Sequence, residues 1–148
     1  MTRNRAEKEL EILYRISQAM ANPHGVVDLL DNVLDILENE MGLSRGTLTL
    51  RRADSDIFEI EASRGLSAKE RQRGSYKLGD GITGGVAETG QPALIPDISK
   101  NPDFLDRTRT RQAEKLAFIC VPSCIRAVSS ARSVLIAPLP PKKTFARI

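Results

Sequence analysis

Glycines and arginines, rather than a nucleophile with its base, are the residues of this chain whose spacing suggests chemistry. Gly79, Gly81, Gly84, Gly85 and Gly90 crowd into one short run that opens a predicted helix near Ile82. A helix N-terminus presents unpaired N–H groups and a partial positive charge to an anion, and Thr83 adds a hydroxyl there. The same glycines serve equally well as structure: Gly79 and Gly81 in a tight turn, Gly84 and Gly85 in close packing, Gly90 as a cap. Both uses remain open at this level. Downstream, Arg107, Arg109 and Arg111, together with Arg64, are the cations able to hold a dicarboxylate, because a guanidinium fork matches two carboxylate oxygens at once. A charge run in a loop is also commonly just solvated. Tyr76, on a short predicted strand, either lines such a pocket or packs in the core. The candidate ligand set is therefore Arg64, Tyr76, Thr83, Arg107, Arg109 and Arg111, for a small acidic molecule.

Other chemistry is poorly supported. Zinc takes four nitrogen or sulfur ligands, and beside Cys120 and Cys124 the chain offers only His24, about a hundred residues away. Cys120 sits in an apolar, β-prone run, which raises a thiol's pKa and blunts it as a nucleophile. No catalytic residue, metal or cofactor is expected.

These residues need elements to position them. Residues 5–21 read as a helix with two apolar stripes, one through Ala6, Leu10, Leu13, Tyr14 and Met20, the other through Ile12, Ile16 and Ala19. One stripe suffices to dock a helix on its own domain. A second suggests either deeper burial or a partner, most simply the same helix of another subunit, with Leu10, Leu13 and Met20 at a homodimer interface. A second helix spans residues 26–41, its stripe running through Val26, Leu30, Val33, Leu37 and Met41, with Gly42 as cap. A hairpin follows, Thr47-Leu48-Thr49-Leu50-Arg51 against a strand in which Phe58, Ile60 and Ala62 alternate with Glu59 and Glu61. Ser67 and Glu70 have the form of a capping box. Short strands at 75–78 and 93–96 flank a helix at 82–89, and 116–121 reads as a central strand after an irregular stretch over 97–111. That order predicts an α+β fold, an antiparallel sheet of five or six strands with helices packed on one face.

Composition narrows the function classes. The 148 residues suit one domain, 41% hydrophobic and 28% charged, unlike a disordered chain. No apolar run approaches the ~18–20 residues of a membrane span, and the first residues lack a secretory signal, so a cytoplasmic protein without membrane contact is expected. The net charge of +3 is uneven, because every acid lies between Glu7 and Glu114. The basic excess belongs to residues 122–148, so no direct nucleic-acid contact by the folded part is expected. That last stretch holds no glycine and no acid but contains Pro122, Pro138, Pro140 and Pro141. It reads as an atypical basic tail, 123–148, after a domain of residues 1–122, as a truncation or a shifted reading frame would leave it. Ser133-Val134-Leu135-Ile136-Ala137 is its one strand-forming stretch, predicting a sheet edge unpaired or paired only there, and a disordered tail from about Pro140.

The run from Tyr76 to Ser99, with Gly79-Asp80-Gly81-Ile82-Thr83-Gly84, then Val86, Thr89-Gly90-Gln91-Pro92 and Ile95-Pro96-Asp97, resembles the middle of a GAF domain. Pro102-Asp103-Phe104-Leu105-Asp106-Arg107-Thr108 is similar to the run that follows in the GAF domains of NifA-type nitrogen-fixation activators. Those domains often carry a larger, frequently basic residue where this chain has Gly85. The resemblance implies a sensory module that binds a small ligand, 2-oxoglutarate in some relatives, and gates the ATPase and DNA-binding domains of a sigma-54-dependent activator. A regulatory protein partner is a further expectation, beside the homodimer drawn from the stripes of the first helix. This chain has neither a Gly-x4-Gly-Lys-Ser/Thr phosphate loop nor a helix-turn-helix pattern. Two alternatives within the superfamily are a cyclic-nucleotide module and a free methionine sulfoxide reductase. The second needs a reactive thiolate with a resolving thiol in reach.

Overall fold

The structure, a computed structural model, describes residues 2–21, 24–43, 45–109, 116–124 and 132–139. The Asn22-Pro23 break, Arg111 and the expected tail from Pro140 lie outside the described residues. Helices α1 (Thr2–Ala21) and α2 (Val26–Met41) lead into strands β1 (Gly46–Arg51) and β2 (Ile57–Arg64). Next come α3 (Ala68–Arg73), β3 (Ser75–Lys77), α4 (Gly81–Thr89) and β4 (Ala93–Ile95). After one 3₁₀ turn at Ile98–Lys100, β5 (Ala117–Cys124) and β6 (Arg132–Leu139) complete a six-stranded sheet of order β3-β2-β1-β6-β5-β4, antiparallel at every pairing. The expected α+β class is the observed one.

Both faces of this sheet are covered. On β5, Ala117 and Ile119 pack with Leu37 and Leu43 on one side, while Phe118 and Cys120 join Val86 and Ala87 of α4 on the other. Alternation along a strand puts those two sets on opposite faces. On one face lies α2 with α1 resting on it, as expected of the first two helices. But α4 with the segment after β4 lies on the other, so the helices are not confined to one face. Leu34 of α2 is fully buried with Leu30 against Leu48 and Ala62. It sits directly over Gly46, where any Cβ would run into its methyl groups. The buried line of α2 thus centres on Leu30 and Leu34, and Met41, expected on the stripe, is exposed.

Phe58, Ile60 and Ala62 do not share one face, although their spacing predicts it. Leu48 pairs with Ala62 but Thr49 pairs with Ile60, leaving Glu61 as an extra residue in β2. Such a bulge reverses the alternation of the strand beyond it. Ala62 therefore faces α2, and Phe58 joins the cluster under α4.

Strand β6 departs furthest from expectation. The stretch expected at 133–137 runs over the whole of Arg132–Leu139 and sits inside the sheet, paired to β5 throughout and to β1 at residues 134–136. The boundary expected at residue 122 falls inside β5. Proline is tolerated in these interior strands for a simple reason. Pro138 lies beyond the residues paired to β1, and Pro122 beyond those paired to β4, so each occupies a place with one neighbouring strand. The edges are β3 and β4, each three residues long. Edges that short are poor templates for aggregation.

α1 contacts the rest of the domain through α2. Ile12, Arg15, Ile16 and Ala19 are half-buried, and Arg15 bonds Glu40 of α2 at 2.7 Å. The other stripe stays in solvent: Leu10, Leu13, Tyr14 and Met20 are 57–68% exposed. Of the two readings of the double stripe, deeper burial is not what the structure has.

Candidate functional site

A small cavity lies between the sheet and the segment that follows the 3₁₀ turn. Its floor is Thr47 of β1 and Phe118 of β5, its walls Tyr76 of β3 with Ile82 and Thr83 of α4, and its roof residues 103–108. The space open to the centre of a water molecule is about 20 Å³, room for about one water. A larger ligand needs more room than this.

The roof is fastened at several points. Phe104 stacks edge-on against Phe118, ring centroids 5.4 Å apart and planes at 74°. The Asp103 carbonyl accepts the Ile82 N–H at 3.2 Å, and the Thr108 carbonyl accepts from the Arg73 guanidinium at 2.9 Å. Asp106 and Arg109 have φ of 32° and 58°, unusual for residues with a side chain. Arg107 faces Asp80 at 3.7 Å, a long ion pair between half-exposed groups. Asp80 is the residue before α4, yet its carboxylate caps no helical N–H.

The glycine run is largely structural. Gly79 and Gly81 have φ of 83° and 58°, which makes the turn, and Gly90 at φ 68° caps α4. A Cβ on Gly84 would strike the Lys77 carbonyl oxygen, so α4 and β3 close only over glycine. Gly85, expected to serve close packing, instead faces open space. The N-terminus of α4, expected to receive an anion, already has one N–H taken by the Asp103 carbonyl.

Of the six expected ligand residues, Tyr76, Thr83 and Arg107 come together around the cavity. Arg64 does not. The bulge and the end of β2 turn it to α2, where it bonds Asp35 and, at 3.0 Å, Glu38, and the Asp35 bond above all raises its pKa. Arg109 is exposed and borders no part of the cavity, and Arg111 lies outside the described residues. Sequence reasoning missed Thr47 and Arg73. Thr47 is 3% exposed, and its Oγ1 is buried without a hydrogen-bond partner. The alternation Thr47-Leu48-Thr49-Leu50 was a visible signal, but it implied threonines facing water. In the fold that face lies under α4 and the roof.

Cys120 is fully buried beside Thr83, and desolvation pushes its thiol up to about 12, against a smaller lowering by the Thr83 hydroxyl. Among the described residues, no cluster of His, Cys, Asp and Glu could hold a metal ion. No helix among them is long and apolar enough to cross a membrane.

The GAF domain family model matches residues 26–126. The chain belongs to the GAF family. It is 39% identical over 117 residues to the nitrogen fixation protein AnfA of Azotobacter vinelandii, a match covering 78% of this chain and 22% of AnfA. With a Nif-specific regulatory protein of Herbaspirillum seropedicae it shares 33% identity over 130 residues, 86% of this chain and 23% of that protein. It thus spans about a fifth of the length of these relatives. The A. aeolicus nlh2 GAF domain, solved in an inactive state, has the same fold, with TM-score 0.73, 24% identity, and coverage of 90% of this chain and 80% of that one.

The two central glycines of α4 should respond oppositely to alanine. Gly85→Ala should stabilise the domain by about 0.5–1 kcal/mol, as expected for a helix-interior glycine with open space. Gly84→Ala should cost about 1–3 kcal/mol by overpacking. Urea denaturation of both variants is the check, and equal signs would contradict this packing.

Cys120 gives the domain an alkaline weakness. A thiol ionises near 9.0 when unfolded but near 12 when buried here, so its contribution is intact below pH 9 and lost as pH rises toward 12. Denaturation curves across that range should fall for the native chain and fall less steeply for Cys120→Ala. Native Cys120 should also resist thiol reagents at pH 8.

Proposed function

We propose that this GAF domain is the sensory module of a nitrogen-fixation-type transcriptional activator, working by binding a small acidic metabolite and by pairing with a second copy. The reading is carried by likeness over most of the chain to regulators of nitrogen fixation. The cavity supports it, since Thr83 and Arg107 border it and Asp80 holds Arg107 only loosely at 3.7 Å. A ligand carboxylate can take that guanidinium bidentately, which Asp80 does not. 2-Oxoglutarate is the first candidate. Its entry requires residues 103–108 to lift, and that displacement is a physical route from ligand to the domains such a module would gate. The role is regulatory, not enzymatic: the buried, protonated Cys120 is a poor start for sulfoxide reduction. The domain would act in the cytoplasm, contact no nucleic acid itself, and leave room for a regulatory protein partner.

Titration calorimetry with 2-oxoglutarate and with cyclic nucleotides tests the ligand. Heat is expected with 2-oxoglutarate, at least tenfold weaker binding in Arg107→Gln. Heat only with a cyclic nucleotide would reverse the ligand choice.

Pairing is proposed through α1, whose stripe of Leu10, Leu13 and Met20 is exposed while its other stripe packs on α2. Light scattering at micromolar concentration should give a dimer, and Leu10→Lys with Leu13→Lys a monomer that still unfolds cooperatively, at a lower melting temperature because the partner no longer stabilises the fold. A monomeric parent protein would refute the dimer.

A further inference from the structure

We infer that Thr47 determines specificity at this site: its hydroxyl, buried without a partner on a residue that lines the cavity, donates to one carboxylate of an acidic ligand once the roof lifts. The inference rests on the sensory reading above and names the group that reads the ligand. Thr47 is 3% exposed, and its Oγ1 reaches neither solvent nor a partner. Its strand is paired on both flanks, Thr47 opposite Ser63 of β2 and Ile136 of β6, and a β-branched side chain has few rotamers. A buried hydroxyl without a partner destabilises the fold that holds it. The neighbouring Thr49 lies on the same face of β1, is fully buried too, and is not without a partner. The unpaired group is thus particular to the position that borders the cavity.

The cavity's other groups define what Thr47 meets. Thr83 lies across it, its hydroxyl beside the Cys120 thiol, and Arg107 borders it as well. Asp103 and Asp106 belong to the roof, so an anionic group is better placed against the hydroxyls of Thr47 and Thr83. The present volume of about 20 Å³ suits a single carboxylate end more than a whole metabolite. Ile82, Phe104 and Phe118 offer apolar wall to the carbon chain attached to it.

The test compares the full chain with Thr47→Val, Thr47→Ser and Thr49→Val, melting each in chloride, in sodium formate at equal ionic strength, and with 2-oxoglutarate. Without ligand, Thr47→Val should melt a few degrees above the parent, because it removes an unpaired hydroxyl, whereas Thr49→Val should melt below it. Formate, a carboxylate with nothing attached, should raise the melting temperature of the parent and of Thr47→Ser but not of Thr47→Val. The same pattern with 2-oxoglutarate should appear as at least tenfold weaker binding to Thr47→Val. Response to formate with silence toward 2-oxoglutarate would support Thr47 while removing 2-oxoglutarate as the ligand. Three results would overturn the inference: Thr47→Val melting at or below the parent, which would mean that a resident water already satisfies the hydroxyl; Thr47→Val responding like the parent; or a parent indifferent to both carboxylates.

Discussion

One extra residue in β2 governs how this sheet meets its two coverings. With Glu61 unpaired, the strand changes phase between Ala62, which faces α2, and Ile60, which pairs with Thr49 toward the other side. Without that change Phe58 would not reach the cluster of Val86, Ala87, Phe118 and Cys120 on which α4 rests. The hairpin would then serve a single core, and the site face would lose a fully buried aromatic. The bulge also aims Arg64, two residues past Ala62, at the acids of α2 rather than at the cavity.

The two faces differ in chemistry as well as in position. Toward α1 and α2 the central strand presents Leu48, packed with Leu30 and Leu34. Toward α4 it presents hydroxyls, Thr47 and Thr49. Burying hydroxyls is costly unless they are paired, so a strand of this kind is expected where polar contacts are to be made. α4 can lie close over that face because Gly84 lets its backbone meet the Lys77 carbonyl. The roof then closes the remaining opening, tied by main-chain bonds at Asp103 and Thr108 and by the ring of Phe104.

Such a roof suits a sensor. Its ties include single hydrogen bonds at Asp103 and Thr108, each of modest net strength. A ligand that brings a carboxylate to Arg107 competes with Asp80, and one that lifts the segment must break the bond from Ile82 to Asp103. In the proposed sensor, binding and movement would be coupled through the same contacts, and a ligand would shift the equilibrium only by the difference in its affinity for the two arrangements. On the far side of the sheet, the exposed stripe of α1 belongs to a helix that rests on α2 and is held there by Arg15 and Glu40.

What the sequence determined by itself was the set of features closed by neighbours in the chain. The Ser67–Glu70 capping box forms as its spacing predicts, with the Ser67 N–H at 2.7 Å from the Glu70 carboxylate. Gly42 and Gly90 cap their helices, the hairpin closes, and α1 shows the two stripes its periodicity implies. Motif spacing around Gly79–Asp97 sufficed for the family, because those turns and caps are local too. Three residues that border the cavity, Tyr76, Thr83 and Arg107, were legible for a similar reason: they lie in that run or in the segments that flank it. Only the tertiary structure decided the rest. Whether Thr47 meets water or a cavity depends on what covers β1, and whether Arg64 serves a ligand depends on acids about thirty residues earlier in the chain. Strand β6 reads from its residues as a marginal edge, yet pairing with β1 and β5 makes it interior. Pairings and coverings of this kind join residues far apart in the chain, and no local pattern carries the partner's position.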